Sequence, residues 1–249
     1  MNRYIFLIFA VFTIFLSCDK EKNGSNVDCG TTAESTSINK ILPLGASRVE
    51  GGRPDYESYR YELWKRLVDG GWTFDFIGSN CDDGSYAVYA GNSFDNNHEG
   101  RGGYTSGQIL AGIDEWLVAS GSPDVVLFSS PGGNDALQSL SYTDAIDNIN
   151  AIIDKLQANN PNVTIIIEKL APATTASMTT ELTTFFNQMQ QDVNDIATNQ
   201  TTTTSSVIVV DMATGFNDSY LADDVHYNEE GAAFIADRYY TLLDTILER

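Results

Sequence analysis

Positive charge and histidine are both scarce in this chain. Lysine and arginine together number 14 among 249 residues, against 34 aspartates and glutamates, so the formal net charge is -20. A chain this acidic repels polyanions at long range, which argues against nucleic acid as a partner and against adsorption to anionic membrane surfaces. Because His98 and His226 are the only histidines, a mechanism that needs a histidine base has two candidates.

Cysteine is also rare, which limits the options for metal binding. The three cysteines, Cys18, Cys29 and Cys81, form no Cys-x-x-Cys pair and stand at no metal-ligand spacing from a histidine. We therefore expect neither a metal nor an organic cofactor. In an oxidising compartment Cys29 and Cys81 can form a disulfide, but the sequence alone leaves that pairing open.

Long apolar runs are confined to the start of the chain. Tyr4–Leu16 is almost wholly apolar, follows Arg3, and is too short to span a bilayer comfortably. It ends in Ser17 and Cys18, and a small residue before cysteine resembles a bacterial lipobox. The resemblance implies that residues 1–18 are a lipoprotein signal peptide and that Cys18 is lipidated. The alternative is an ordinary cleaved signal peptide. Both predict export, and the first predicts anchoring to the bacterial (outer) membrane, periplasmic or at the cell surface.

Composition divides the remaining residues into two parts. Residues 19–37 are polar and have almost no large apolar side chain, so they cannot bury enough surface to order themselves and predict a flexible tether. Residues 38–249 alternate short apolar runs with amphipathic stretches. That length and a 42% hydrophobic composition suit one α/β domain.

The alternation within this domain predicts a parallel sheet covered by helices. Short apolar runs bounded by turn residues predict five strands, at Ile41–Leu44, Trp72–Gly78, Asp124–Ser129, Val163–Ile167 and Val207–Val210. Apolar residues at helical spacing predict helices at Tyr56–Val68 and around Ile113, Ile149, Met189 and Tyr239. Residues 79–105 read as one long loop. The fold class that follows is α/β, a three-layer sandwich with a central five-stranded parallel sheet.

Four short segments fall at the carboxyl edge of this predicted sheet, where ligands bind in open α/β folds. They are Gly45-Ala-Ser47, His98–Thr105, Gly132-Gly-Asn-Asp135 and Asp223-Asp-Val-His226. In this order they resemble the four sequence blocks of SGNH hydrolases, the GDSL-like esterase superfamily. The run Ser58–Trp64 is similar to the carbohydrate (acetyl xylan) esterase branch, which removes acetyl groups from plant or algal polysaccharides. The resemblance covers most of residues 38–246 and implies the flavodoxin-like SGNH hydrolase fold.

The resemblance also implies a role for each matching residue. Ester hydrolysis needs a nucleophile, a base and donors to the developing oxyanion. Ser47 corresponds to the nucleophile, His226 to the base and Asp223 to the acid that orients it. The oxyanion hole would combine the backbone N–H groups of Ser47 and Gly103 with the Asn134 side-chain amide.

Several residues keep two interpretations on the sequence alone. Ser47 can simply cap the following helix. His98 is either structural or substrate-facing, and Asp224 is one residue off the acid spacing. The family commonly has aspartate where this chain has Ala46, which puts the local hydrogen bonding of the turn in doubt. Two further groups of side chains have either a substrate-binding or a packing role. The arginines Arg48 and Arg53 bind an acidic sugar or pair with nearby carboxylates. The aromatic rings of Tyr86, Tyr89 and Phe94 stack on sugars or pack against the rest of their loop.

The function predicted from these residues is an exported serine esterase acting through an acyl-enzyme intermediate. Its expected substrate is an acetylated polysaccharide or oligosaccharide, and its expected state is a monomer that meets a membrane only through the N-terminal lipid anchor. The alternatives are a general short-chain esterase, lipase or thioesterase with the same triad, and a non-catalytic glycan-binding protein on the same fold.

Overall fold

The computed structural model describes residues 35–249. The predicted signal peptide, its lipidated Cys18 and most of the predicted tether lie outside the described residues. Cys81 is disulfide-bonded, while Cys18 and Cys29 lie outside the described part, so the pairing of Cys29 with Cys81 stays a prediction.

The centre of the domain is one seven-stranded sheet. Its strands are β1 (Lys40–Gly45), β2 (Asp75–Phe76), β3 (Asn80–Cys81), β4 (Asn97–Gly100), β5 (Val125–Phe128), β6 (Thr164–Lys169) and β7 (Ser206–Asp211). The order is β3-β4-β1-β5-β6-β7, and β2 also pairs with β1. All pairs are parallel except β3 with β4.

Helices cover both faces of the sheet. They are α1 (Ser47–Glu50), α2 (Arg60–Asp69), α3 (Ser106–Ser120), α4 (Gly133–Leu137), α5 (Tyr142–Asn159), α6 (Thr180–Gln200) and α7 (Glu229–Ile246). Because strand side chains alternate between faces, Val126 and Phe128 pack with α3, α5 and α6, whereas Val125 and Leu127 pack with α2 and α7. None of the helices within residues 35–249 is both long enough and apolar enough to span a membrane.

The predicted fold class is confirmed, but the predicted number of strands is two short. The two unforeseen strands, β3 and β4, lie inside the segment expected to be a loop, and their residues are polar or glycine apart from Cys81. They therefore carry no hydrophobic signal. The strands β2 and β4 pair with different parts of β1. β2 pairs with it at Lys40 and Ile41, and β4 pairs with it at Leu44 and Gly45.

Candidate active site

The turn after β1 presents the Ser47 hydroxyl at the carboxyl end of the sheet. Gly45 is required there, because a Cβ at that position would lie 2.9 Å from the Ser129 carbonyl oxygen. Ser47 is the first residue of α1, and Ala46 holds the N-cap position without a side-chain cap bond. The interpretation of Ser47 as a helix cap is therefore wrong. Instead, Ser47 Oγ lies 2.9 Å from His226 Nε2.

The loop before α7 supplies the other two members of the predicted triad. His226 Nδ1 lies 2.7 Å from Asp223 Oδ2, and Asp223 Oδ1 accepts the backbone N–H groups of Val225 and His226 at 2.8 and 2.7 Å. Burial raises the pKa of Asp223, but these bonds from His226 and Val225 outweigh it and leave the pKa below its ordinary value. The neighbouring Asp224 instead accepts a hydrogen bond from Thr174 Oγ1.

Two predicted oxyanion donors border the same cavity as Ser47. Gly103 has a φ of +78°, and no atom beyond its two chain neighbours lies within 4 Å of where its Cβ would be, so a substrate can approach its backbone closely. Asn134, on α4, donates one side-chain N–H to the Tyr104 carbonyl at 2.8 Å. A carboxamide has two N–H donors, which leaves the second for a ligand.

The segment that carries Gly103 is fastened on both sides. Glu50 Oε2, from α1, accepts the Gly102 N–H at 2.8 Å. At the other end Asp135 accepts the Ser106 N–H and hydroxyl at 2.8 and 2.7 Å. Fixed donors cost little reorganisation when charge develops on a bound oxygen, so this bracing suits an oxyanion site.

Together these groups border a cavity of about 680 Å³. Its lining includes the polar or charged residues Ser47, Glu50, Tyr56 and His226 and the apolar residues Leu137, Leu170, Ala173 and Phe186. Within residues 35–249 no three histidine, cysteine, aspartate or glutamate side chains are grouped as a metal site requires.

Arg48 has a role that neither interpretation of the sequence foresaw. Its guanidinium is buried and donates to the backbone carbonyls of Val225, Ala171 and Pro172 at 2.8, 2.8 and 3.1 Å. It thus ties α1, which begins at Ser47, to the loop that carries His226. Arg48 therefore borders the cavity, but its guanidinium is held by three backbone carbonyls of the protein itself.

The other open side chains have packing roles. Arg53 Nε lies 2.6 Å from Glu57 Oε2, which confirms the pairing interpretation for this arginine. The Tyr86 and Phe94 rings lie 4.6 Å apart, and Trp64 contacts both Phe94 and Tyr89. None of these three loop aromatics is among the described residues that line the cavity. Their rings pack against one another and against Trp64, so they give no support to the interpretation that they stack on sugars.

His98 is structural. It is fully buried, and its Nδ1 accepts the Gly100 N–H at 2.9 Å. Burial, together with the charges of Arg60 and Arg101, holds its pKa well below the ordinary value. Of the two histidines, His226 is thus the one that reaches Ser47 and the cavity.

Comparison with known proteins agrees with this geometry. Residues 69–234 match the GDSL-like Lipase/Acylhydrolase family, a span that contains Gly103, Asn134, Asp223 and His226 and begins after Ser47. No curated protein matches the chain.

Solved structures that resemble the chain include several esterases. A family 3 carbohydrate esterase from Talaromyces cellulolyticus is 26% identical, with a TM-score of 0.73, and the match covers 84% of this chain and 98% of that one. A family 3 carbohydrate esterase from Clostridium thermocellum is 27% identical, with a TM-score of 0.67 and coverages of 85% and 99%. An acetyl esterase, solved as a serine-to-alanine variant with an acetate ion, is 25% identical, with a TM-score of 0.72 and coverages of 84% and 98%.

The family match extends over more than half of the 249 residues. The sheet, the covering helices and the order of the four segments are those of an SGNH hydrolase. The chain therefore belongs to the GDSL-like lipase/acylhydrolase family and is an ester hydrolase.

Proposed function

We propose that this protein is an exported serine esterase that removes O-acetyl groups from polysaccharides or oligosaccharides. The observation that carries the proposal is the continuous hydrogen-bonded path from Ser47 Oγ through His226 to Asp223, with distances of 2.9 and 2.7 Å. A serine hydroxyl is a weak nucleophile by itself, and an adjacent base held by a third group is what activates it.

In the first half of the reaction Ser47 Oγ attacks the acetyl carbonyl carbon while His226 Nε2 takes the hydroxyl proton. Asp223 keeps the other proton of the imidazole on Nδ1 and stabilises the imidazolium that forms. The backbone N–H groups of Ser47 and Gly103 and the free N–H of Asn134 stabilise the oxyanion. His226 then gives its proton to the departing sugar oxygen, which leaves an acetyl group on Ser47.

In the second half a water molecule replaces the sugar alcohol. His226 takes a proton from this water as the water attacks the acetyl carbon, and the same three donors stabilise the second tetrahedral intermediate. Collapse of that intermediate returns the proton to Ser47 Oγ and releases acetate. Each step uses side chains that border the cavity or contact His226 directly.

Two observations support a carbohydrate ester as substrate. The solved relatives at 25 to 27% identity are named as an acetyl esterase and as family 3 carbohydrate esterases. The cavity of about 680 Å³ is also far larger than an acetyl group, so it has room for the alcohol part of the ester as well.

A second candidate is a short-chain esterase or lipase with a preference for longer acyl groups. The apolar lining residues Leu137, Leu170, Ala173 and Phe186 favour it, because burial of acyl methylenes against apolar side chains contributes about 0.8 kcal/mol each. The two candidates differ in the length of acyl group that reacts fastest.

The experiment compares a p-nitrophenyl ester series from C2 to C12 with acetate release from acetylated xylan, pectin, mannan and algal glycans, using Ser47→Ala as the blank. We expect the highest kcat/KM at C2 and acetate release from at least one glycan. A maximum at C8 or longer without acetate release from any glycan would establish the lipase candidate instead. Glycan binding without hydrolysis of any ester would indicate the non-catalytic alternative.

Export and lipid anchoring are part of the same proposal and rest on residues 1–18. Their test is incorporation of labelled palmitate in a bacterial host, with Cys18→Ala as the matched control. We expect label in the unmodified protein and none in the variant. Equal labelling of both proteins would overturn lipidation at Cys18.

A further inference from the structure

An aromatic ring that the mechanism does not use lies flat against the catalytic histidine. The Tyr56 and His226 rings are stacked, with centroids 4.0 Å apart and an angle of 19° between their planes. Tyr56 also borders the cavity that contains Ser47. Such close parallel contact between an aromatic ring and an imidazole favours one orientation of both rings.

The Tyr56 ring also packs closely against the turn from which it projects. A Cβ at Gly52 would lie only 2.4 Å from Tyr56 Cε1, so the ring rests on the Gly52 backbone. Gly52 and Tyr56 also exchange two backbone hydrogen bonds, at 3.3 and 3.2 Å, that close the turn between them. The phenol ring is therefore close to both the Gly52 backbone and the imidazole.

A further bond holds this turn to the histidine loop. The backbone N–H of Glu57, which follows Tyr56, donates to the carbonyl of Tyr227, which follows His226, at 2.8 Å. The two stacked rings thus project from the residues that directly precede this hydrogen-bonded pair. Their contact is a fixed feature of the site.

The stack supplies a restraint that the triad bonds lack. The bonds from His226 to Asp223 and to Ser47 lie at the ring nitrogens and resist swinging of the imidazole within its own plane. A flat surface against the ring face resists tilting out of that plane. When His226 takes the serine proton, the aromatic face also attracts the resulting imidazolium.

The Tyr56 phenol keeps its proton at neutral pH and so does not act as a base. Burial and the nearby carboxylates of Glu50, Asp223 and Asp55 raise the pKa of its phenol, so it stays neutral and weakly acidic at neutral pH. What it offers His226 is its ring face.

We propose that Tyr56 is a positioning residue whose ring, supported by Gly52, holds the His226 imidazole in line with Ser47 during proton transfer. This inference rests on the proposed serine-esterase function. It predicts that the flat ring matters and the phenolic hydroxyl does not.

The experiment measures kcat and KM of the full chain with an activated acetate ester. Tyr56→Phe keeps the ring, so we expect kcat within about 3-fold of the unmodified protein. Tyr56→Leu removes the flat face, and we expect kcat to fall by about 10- to 100-fold with KM within about 3-fold, since a misplacement of the order of 1 Å can cost about 10²-fold in rate. Tyr89→Leu, at a ring that contacts Trp64 outside the cavity, is the matched control and should keep kcat.

A second measurement asks whether Tyr56 acts through His226. In a His226→Ala background, adding Tyr56→Leu should change the residual rate by less than about 3-fold, because the group that the ring positions is gone. Melting curves show that each variant is folded, and Tyr56→Met replaces Tyr56→Leu if the latter melts below the assay temperature.

The outcomes separate this inference from the proposed function. Loss of activity in Ser47→Ala tests the function. The role of Tyr56 is overturned if Tyr56→Leu keeps the original kcat, if it changes KM alone, if Tyr56→Phe loses as much as Tyr56→Leu, or if the loss is undiminished without His226.

Discussion

Asp223 contacts His226 through both of its carboxylate oxygens. Oδ2 lies 2.7 Å from His226 Nδ1 and Oδ1 accepts the His226 backbone N–H at 2.7 Å. Asp223 therefore restrains both the ring and the backbone of the same residue. An acid in this position sets which ring nitrogen carries the proton, and so makes the other nitrogen available to Ser47.

Asp223→Asn should therefore lower kcat severely. The amide keeps an oxygen for the backbone N–H groups, but its NH₂ group favours the wrong tautomer of His226, and in a well-studied serine protease the same change costs about 10⁴ in kcat. Asp224→Asn is the matched control, because Asp224 bonds Thr174 and not His226. Steady-state rates with an activated acetate ester make the comparison, and a larger loss in Asp224→Asn would transfer the acid role to that residue.

Asn134→Ala should lower kcat by about 10² to 10³, which is the cost of removing one oxyanion donor in a related chemistry. KM should change little, because the bond strengthens only as charge develops on the oxygen. Asn194→Ala, on the exposed side of α6, controls for loss of an amide elsewhere. An unchanged kcat in a folded Asn134→Ala protein would remove Asn134 from the oxyanion hole.

Ala46→Asp restores the residue common in the family and tests how the nucleophile turn is built. Ala46 holds the N-cap position of α1, and its carbonyl accepts the N–H groups of Val49 and Glu50. A capping carboxylate there stabilises a helix by about 0.5–2 kcal/mol, so we expect an equal or higher melting temperature and a kcat within about 10-fold. Complete inactivation of the folded variant would mean that the turn differs from the family's, and would make transfer of the oxyanion roles unsafe.

Asp95 should make the stability of the protein depend on pH. Its Oδ2 accepts the Phe76 N–H at 2.6 Å, and burial raises its pKa from 3.8 to about 7, with the neighbouring Asp75 contributing in the same direction. Between these two values the folded state holds a proton that the unfolded state has released, so rising pH favours unfolding through this window.

Asp95→Asn carries no such proton. We expect its melting temperature, relative to that of the unmodified protein, to rise steadily from pH 4 to about pH 7 and to stay level above that. Other titrating groups are common to both proteins and cancel in this difference. Parallel melting curves over the whole range would show that Asp95 has an ordinary pKa in the folded state.

Local patterns in the sequence predicted the helices and the buried strands well, because those elements carry strong hydrophobic periodicity. The five predicted strands correspond to β1, β2, β5, β6 and β7. The pair β3 and β4 escaped prediction because it is short and mostly polar. The helix expected at Tyr56–Val68 begins instead at Arg60, because Tyr56 and Glu57 make their backbone hydrogen bonds to Gly52 and Tyr227.

The residues of the candidate site also differ in whether the sequence could predict them. Ser47, Asp223 and His226 could be picked out from short motifs, and the structure brings them within hydrogen-bonding distance. The contacts of Arg48 and Tyr56 could not be predicted from the sequence, because they join segments far apart in the chain and leave no periodic signal. The stacking of Tyr56 on His226 depends on how closely Gly52 lets the ring approach the turn, which is a property of packing and not of spacing.

The central claim is that Ser47 is the nucleophile, and the rate of activated acetate ester hydrolysis by purified Ser47→Ala tests it most directly. Loss of a triad nucleophile costs about 10⁶ in kcat in a well-studied serine hydrolase. We predict a loss of this order in a protein whose melting temperature is unchanged within a few degrees. A folded Ser47→Ala protein that retains a tenth of the original rate would contradict the account.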